Sequence, residues 1–172
     1  MSDASRPAAD RRPFIIRPLE QRDRPQLEEL IRGIENFAPD EVACAIELVG
    51  LAAGPPPGSD DYKVLVADSG GALLGYACFG PTPMTRNTFD LYWIANAPAV
   101  RRTGVGSALH EAVVTAVRAV GGRRIRVETS SHEAYGATLQ FYERTGYKLA
   151  GRVEQFYKDD DHLLIFVCEI GG

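Results

Sequence analysis

The chain has 172 residues, a length that fits one domain with a core large enough to need no disulfide or metal. Its net charge of -4 argues against nucleic acid or an anionic membrane as a partner, since both attract basic surfaces. The three cysteines are an odd number and lie in apolar segments, which favours reduced thiols and a cytoplasmic location over a disulfide framework. No apolar run is long enough to span a membrane.

Residues 1–13 are polar and lack the apolar segment of a secretory signal. We expect them to form a disordered tail ahead of a single domain over residues 14–170. Within that domain, Phe14–Pro18 is predicted as the first strand. Residues 21–37 are predicted as the first helix, because apolar side chains recur there at helical spacing.

Proline and glycine residues mark the predicted ends of the elements in the next segment. Pro39 is expected to break the first helix, and Asp40 to cap a second helix that Gly50 and the Gly-Pro-rich loop over residues 54–58 end. Two apolar runs, Tyr62–Asp68 and Ala72–Phe79, flank a Ser-Gly-Gly sequence. They are predicted to form a β-hairpin, because glycine permits the tight turn.

A third antiparallel strand is predicted over Thr88–Ala95. The apolar period then changes, and an amphipathic helix is predicted from Val105 to Val120 with Thr103 as its N-cap. Arg124–Thr129 is predicted as a strand parallel to Thr88–Ala95, since a helical crossover of this length joins parallel neighbours.

A short helix over residues 134–144 and two strands, Tyr147–Val153 and His162–Ile170, complete the predicted elements. The fold class is therefore α+β. We expect a mixed, mostly antiparallel sheet of six to seven strands with one parallel pair at its centre.

The turn between the third strand and the long helix resembles a phosphate site. Gly104 and Gly106 allow close approach of a ligand, and the helix N-terminus and its flanking arginines favour an anion. A P-loop is excluded because no Gly-Lys-Ser/Thr sequence follows, and Leu109 stands where a dinucleotide fingerprint needs glycine. An unrelated binder of nucleotide phosphates stays open at this point.

Two motifs resemble the Gcn5-related N-acetyltransferase (GNAT) superfamily. The sequence Arg101-Arg102-Thr103-Gly104-Val105-Gly106 matches the family's pyrophosphate signature Gln/Arg-x-x-Gly-x-Gly/Ala. Phe141–Tyr147 is similar to its FYEKxGF segment, and the order of the predicted elements agrees as well. The resemblance covers residues 14–170 and implies the acyl-CoA N-acyltransferase fold, with helices on both faces of the sheet and a splayed central strand pair.

The resemblance further implies acetyl-CoA as cosubstrate and no metal. Backbone N–H groups from Arg102 to Ser107 would hold the pyrophosphate, and the edge of residues 94–96 would pair with the pantetheine arm. The residues assigned to acetyl-CoA in this way are Ile94, Ala95, Asn96, Arg101, Arg102, Thr103, Gly104, Val105, Gly106 and Ser107. Tyr135 and Thr138 stand where the family commonly has Asn and Ala, so contacts with the CoA arm are expected to differ there.

Two residues are candidates for proton transfer. The resemblance places Tyr142 where the family often has a tyrosine that protonates the departing thiolate. Asp90 is the candidate base, because period-two geometry predicts it on one strand face with Tyr92 and Ile94, looking toward the acyl site. Glu128 is a second candidate base, or an ion-pair partner of neighbouring arginines.

The implied function is acetyl transfer to a primary amine, by direct attack in a ternary complex. The acceptor would be a small-molecule amine or a peptide N-terminus, and relatives in the family often form homodimers. The alternative is an acyl-CoA-binding regulatory module without turnover. The module would bind CoA without acyl transfer and keep its function in Asp90→Asn and Tyr142→Phe, whereas the presence of both a candidate acid and a candidate base favours the enzyme.

Overall fold

The computed structural model describes residues 13–54 and 61–171. The predicted tail, residues 1–13, therefore lies outside the described residues except for Pro13. The strands and helices, in chain order, are β1 (Ile15–Pro18), α1 (Arg24–Arg32), α2 (Pro39–Ala53), β2 (Lys63–Ser69), β3 (Ala72–Pro81), β4 (Thr88–Asn96), α3 (Val105–Ala119), β5 (Arg124–Ser130), α4 (Gly136–Arg144), β6 (Lys148–Lys158) and β7 (Asp161–Glu169). Short 3₁₀ helices occupy Gln21–Asp23, Pro98–Val100 and Glu133–Tyr135.

Within the described residues, seven strands form one mixed sheet in the order β1-β2-β3-β4-β5-β7-β6. Every neighbouring pair is antiparallel except β4 and β5. The right-handed crossover through α3 makes that pair parallel, because a helix must return the chain to the same end of the sheet. The predicted α+β class, with its central parallel pair, is confirmed.

Two hydrophobic clusters cover the two faces of the sheet. On one face, buried residues of α3 and α4, including Leu109, Val113 and Tyr142, pack against the central strands. On the other, Leu27 of α1 and Val49 of α2 pack against β2 and β3. Successive side chains of each central strand point alternately into the two clusters. The central strands are therefore apolar on both faces.

Local predictions for the first two helices were partly wrong. α1 ends at Arg32, so residues 34–37 are not helical. Pro39 does not merely break a helix but starts α2, since proline at the first helical position loses no hydrogen bond. Ala38 rather than Asp40 is the N-cap, and its N–H donates to Glu41 Oε2 at 2.7 Å.

The helix also continues through Gly50 to Ala53. Glycine costs about 1 kcal/mol relative to alanine in a helix interior. A Cβ at Gly50 would lie 3.3 Å from Arg24 Nη2 on α1, a close approach that the flexible arginine side chain can relieve. The glycine lies inside the helix because the pattern that favours a helix extends beyond it to Ala53.

Candidate functional site

The two parallel central strands separate along their length. β4 and β5 pair only at Thr88, Phe89 and Asp90, whose partners are residues 124–126. Residues 91–96 and 127–130 form no pairs with each other among the described strands. The result is a V-shaped cleft that opens toward the carboxyl ends of both strands, and its free backbone edges are available to an extended ligand.

A β-bulge in β4 changes which side chains line this cleft. Phe79 of β3 pairs with Leu91 and Cys78 pairs with Trp93, so Tyr92 has no partner of its own. Tyr92 and Trp93 both pack toward the α1/α2 face, whereas Ile94 packs into the α3/α4 cluster. The prediction that Asp90, Tyr92 and Ile94 share one face is therefore wrong for Ile94, because the extra residue reverses the alternation.

Asp90 lies at the vertex of the cleft, at the last position where the parallel strands pair. It is 6% exposed, and Arg126 Nε donates to its Oδ1 at 2.6 Å. Arg126 also lies 3.2 Å from Glu128 Oε1, so both sequence-predicted base candidates share one guanidinium. Sequence reasoning did not identify Arg126 as a partner of Asp90, and no local signal links residues on separate strands.

Tyr92 lies two residues after Asp90 in β4, and its phenol is affected by the Asp90 charge. Burial and the nearby Asp90 carboxylate raise the pKa of Tyr92 to about 12. Its ring also packs at 5.3 Å from the ring of Tyr62. Two aromatic rings, with the Tyr92 phenol neutral at pH 7, thus lie on the α1/α2 side of β4 near Asp90.

The turn before α3 has the backbone of an anion site. Arg102 has φ +64° and Gly104 has φ +93°, so two residues of the turn adopt the left-handed conformation. Such turns direct successive N–H groups to one side, where they form a concave nest for an anion. The N–H groups of Arg102, Gly104, Val105 and Ser107 make no hydrogen bond to another described residue. Together with the N-terminus of the 15-residue helix α3, these donors fit a pyrophosphate.

The structure corrects the predicted cap of α3. Gly104, not Thr103, is the N-cap. Thr103 Oγ1 instead donates to the carbonyl oxygen of Val100 at 2.6 Å and stabilises the turn itself. Gly104 has no side chain that could cap the helix, so the N–H groups of Val105 and Ser107 in the first turn stay available to a ligand.

Asn96 and Gly106 fix the turn against the end of β4. In the amide orientation that satisfies both polar atoms, Asn96 accepts from the Gly106 N–H at 3.2 Å and donates to the Ala95 carbonyl at 3.3 Å. A Cβ at Gly75 of β3 would lie 2.7 Å from the amide end of the Asn96 side chain and 2.7 Å from the Ala95 oxygen. Gly75 thus provides the space for the Asn96 side chain, a requirement that sequence reasoning missed.

Tyr142 lies in α4 with its ring in the core. It is 6% exposed, and its ring centroid is 5.3 Å from Tyr147 and 6.2 Å from Phe166. Burial raises the pKa of the Tyr142 phenol above its ordinary value, so the phenol holds its proton at neutral pH. The residue thus has the packing of a core side chain and the charge state that a proton donor needs.

Tyr135 makes a contact that the sequence did not predict. Its hydroxyl lies 2.8 Å from both carboxylate oxygens of Glu41 at the start of α2. The same hydroxyl lies 3.1 Å from the carbonyl oxygen of Asn36, and its single proton is shared among these acceptors. The departure from the family pattern at this position therefore joins the segment after β5 to the start of α2.

Two kinds of feature are absent from the described residues. No helix among them is both long enough and apolar enough to cross a membrane. Likewise, the described side chains contain no cluster of three or more histidine, cysteine or carboxylate groups arranged to hold a metal ion.

Comparisons with known proteins agree with this geometry. The acetyltransferase (GNAT) domain model matches residues 60–149. A protein assigned to the GNAT family from Desulfovibrio desulfuricans is 34% identical, with a TM-score of 0.85 over 92% of this chain and 100% of that one. Comparison with curated proteins gave no match.

More distant structures share the fold. The ribosomal-protein-S18-alanine N-acetyltransferase from Escherichia coli is 21% identical with a TM-score of 0.73, over 93% of this chain and 96% of that one. An aminoglycoside 6'-N-acetyltransferase complexed with coenzyme A is 17% identical with a TM-score of 0.72, over 92% of this chain and 98% of that one. On the domain match and the 34% identity, the chain belongs to the GNAT family of acetyltransferases.

Proposed function

We propose that this GNAT-family chain is an acetyl-CoA-dependent N-acetyltransferase that acts on a primary amine, by direct attack within a ternary complex. One juxtaposition carries the proposal. The anion-binding turn at Arg102 and Gly104 follows a strand whose free edge runs along the cleft from Asp90. A ligand with a pyrophosphate at one end and an extended arm can therefore occupy turn and cleft together.

The residues of the turn and of the strand edge would bind the two parts of acetyl-CoA. Unsatisfied N–H groups between Arg102 and Ser107 would hold the pyrophosphate, with added charge from Arg101. Backbone groups at Ile94–Asn96, on the edge of β4 that faces away from β3, would pair with the pantetheine arm. When bound, acetyl-CoA supplies an activated thioester carbonyl, and an N–H near Ile94 would stabilise the developing oxyanion.

The acceptor amine must be neutral to attack. For a lysine-like amine of pKa about 10.4, losing the proton at pH 7 costs about 4.6 kcal/mol, and for an α-amino group only about 1–1.4 kcal/mol. Asp90 would take this proton, directly or through a water. Its Oδ2 is available, since Arg126 binds Oδ1 and no other described residue hydrogen-bonds the side chain.

Bond changes and protons then balance. The amine nitrogen forms a bond with the acetyl carbonyl carbon, the carbon–sulfur bond breaks, and the sulfur leaves with the bonding electrons. The phenol of Tyr142 would protonate that thiolate, a role for which its raised pKa keeps the proton in place at pH 7. Asp90 passes the first amine proton to solvent. The nitrogen loses its second proton once it is bonded to the carbonyl carbon, and that proton returns through solvent to the Tyr142 phenolate. The products are therefore an amide, free CoA and one proton released from the ammonium form of the acceptor.

A thiol-release assay tests the proposal. The protein would be incubated with acetyl-CoA and each of four amines, namely a peptide with N-terminal alanine, an aminoglycoside, spermidine and lysine amide. The first two correspond to the acceptors in the names of the structural relatives. We expect amine-dependent release of free CoA with at least one of them, and acetylated product of matching mass.

Thermal shifts separate the alternatives. CoA should raise the melting temperature, and ATP should raise it less. Stabilisation by CoA without acetylation of any amine would instead favour an acyl-CoA-binding module without turnover. A larger shift with ATP than with CoA would favour a nucleotide-phosphate binder, and neither CoA release nor CoA stabilisation would contradict the proposal.

A further inference from the structure

The segment between α1 and α2, residues 33–38 (the α1–α2 junction), lies across the mouth of the cleft. On the β4 side, the ring of Phe37 packs against Trp93 with centroids 4.9 Å apart. On the β5 side, the Tyr135 hydroxyl lies 3.1 Å from the carbonyl oxygen of Asn36. Because β4 and β5 diverge, these two contacts place the junction between opposite walls of the V.

Tyr135 holds its end of the junction through a hydrogen-bonded carboxylate. Glu41 accepts from the Tyr135 hydroxyl at 2.8 Å and from the Ala38 N–H at 2.7 Å. One side chain therefore joins the first turn of α2, the junction and the 3₁₀ helix that follows β5. Burial and the Glu41 carboxylate raise the pKa of Tyr135, so the phenol stays a donor across the assay range.

The other polar contact of the junction is weaker. Arg101 Nη1 lies 3.3 Å from Glu35 Oε2, but the two side chains are 53% and 72% exposed. Ion pairs this exposed contribute little, because water screens them. Arg101 also belongs to the turn that would bind pyrophosphate, so this contact competes with the ligand. Of the polar side-chain contacts described here for the junction, the one with Tyr135 is therefore the stronger, and it acts beside the packing of Phe37 on Trp93.

We propose that Tyr135 is a positioning residue for the amine acceptor: through Glu41 and Asn36 it holds the α1–α2 junction as a wall of the acceptor entrance. The inference rests on the proposed function, since it assumes that an amine enters the cleft from the α1/α2 side. Tyr135 acts through the junction and need not touch the acceptor. Loss of the Tyr135 hydroxyl should raise the acceptor KM more than it changes kcat or the acetyl-CoA KM.

Three variants and one control test this role. Tyr135→Phe removes the hydroxyl, Glu41→Ala removes its partner, and Glu41→Gln keeps an oxygen that can accept from the same donors. Tyr76→Phe is the matched control, because the buried Tyr76 hydroxyl has no hydrogen-bond partner among the described residues. Each protein would be assayed with the four amines above and by amide hydrogen exchange without substrate.

We expect Tyr135→Phe and Glu41→Ala to raise the acceptor KM about tenfold, the size that loss of a charge-assisted hydrogen bond permits. Their kcat and acetyl-CoA KM should change less than twofold, and Glu41→Gln should restore most of the acceptor affinity. Amide exchange in residues 34–42 should rise in both variants and not in Tyr76→Phe.

Unchanged exchange in Tyr135→Phe would overturn the inference, and so would equal losses in kcat and both KM values. If the wild type acetylates none of the four amines, the proposed function loses its support. The exchange measurement needs no turnover and still decides whether Tyr135 holds the junction.

Discussion

Arg126 Nε on β5 donates to Asp90 Oδ1 on β4 at 2.6 Å, at the point where the two parallel strands separate. The ion pair joins the walls of the cleft at its vertex. The second carboxylate oxygen of Asp90 is not used in this bond, and the proposed function assigns it the proton of the acceptor amine. A single contact thus has a structural role and a proposed catalytic one, and mutation can separate them.

Asp90→Asn should lower kcat about 100-fold or more, the range for loss of a general base, while the Kd for CoA stays within twofold. Steady-state kinetics and calorimetric CoA titration would measure the two quantities. Glu128→Gln, a change in an exposed side chain that shares Arg126, serves as the comparison and should have a smaller effect. An Asp90→Asn variant with lowered melting temperature and normal kcat would assign Asp90 to the structure alone.

Gly104→Ala should weaken CoA binding about tenfold or more. At φ +93° an alanine is strained by about 1–2 kcal/mol, and relief of that strain would turn the N–H groups of the turn away from the ligand. Gly121→Ala is a close control, since Gly121 also has a positive φ and open space around its Cβ position but lies at the other end of α3. Both variants should lose similar thermal stability, whereas calorimetry should find weaker CoA binding only for Gly104→Ala. Equal Kd values for the two would contradict the assignment of the turn.

Tyr142→Phe should lower kcat about 100-fold, because the thiolate would leave without a positioned proton donor. Burial raises the pKa of the phenol, so the protonated form persists to higher pH than in a free tyrosine. Loss of the Tyr142 proton should therefore cause no decline in wild-type kcat between pH 7 and pH 9. The upper end of that range is about one unit below the ordinary tyrosine pKa. Tyr147→Phe, which removes a buried hydroxyl without a partner among the described residues, should retain kcat. Equal activity of both variants and wild type would remove Tyr142 from the mechanism.

Asp23→Asn should lower the free energy of unfolding by about 2–4 kcal/mol at pH 7. Asp23 is 7% exposed and accepts from Arg17 at 2.6 Å and 2.9 Å, and those bonds hold the pKa of its carboxyl below the ordinary value. Because the folded-state pKa is depressed, the stabilisation is present above the unfolded-state pKa and is lost as pH falls through the folded-state value. Urea titrations from pH 7 down to pH 3 should therefore bring the wild-type and variant curves together under acid conditions. The exposed Asp160→Asn should leave stability unchanged, and a constant difference between Asp23→Asn and wild type at all pH values would contradict the assignment.

Sequence alone determined the order of the elements and the position of the anion-binding turn. Period-two spacing predicts the strand that the structure shows as β4, helical spacing from Val105 marks the start of α3, and Gly104 and Gly106 mark the turn. These are local properties, because backbone conformation and helix ends depend on neighbouring residues. The parallel β4–β5 pair followed as well, since the connection through a helix permits little else.

Tertiary structure alone decided how the cleft is lined. The bulge at Tyr92 turns Ile94 to the opposite face from the one predicted, and only the register with β3 reveals it. Tyr135 meets Glu41 from 94 residues away, and Asp90 meets Arg126 from 36 residues away. Contacts between distant segments depend on packing of the whole sheet and its helices, so the sequence located the turn that would bind phosphate, whereas the fold selected the side chains that surround the proposed reacting groups.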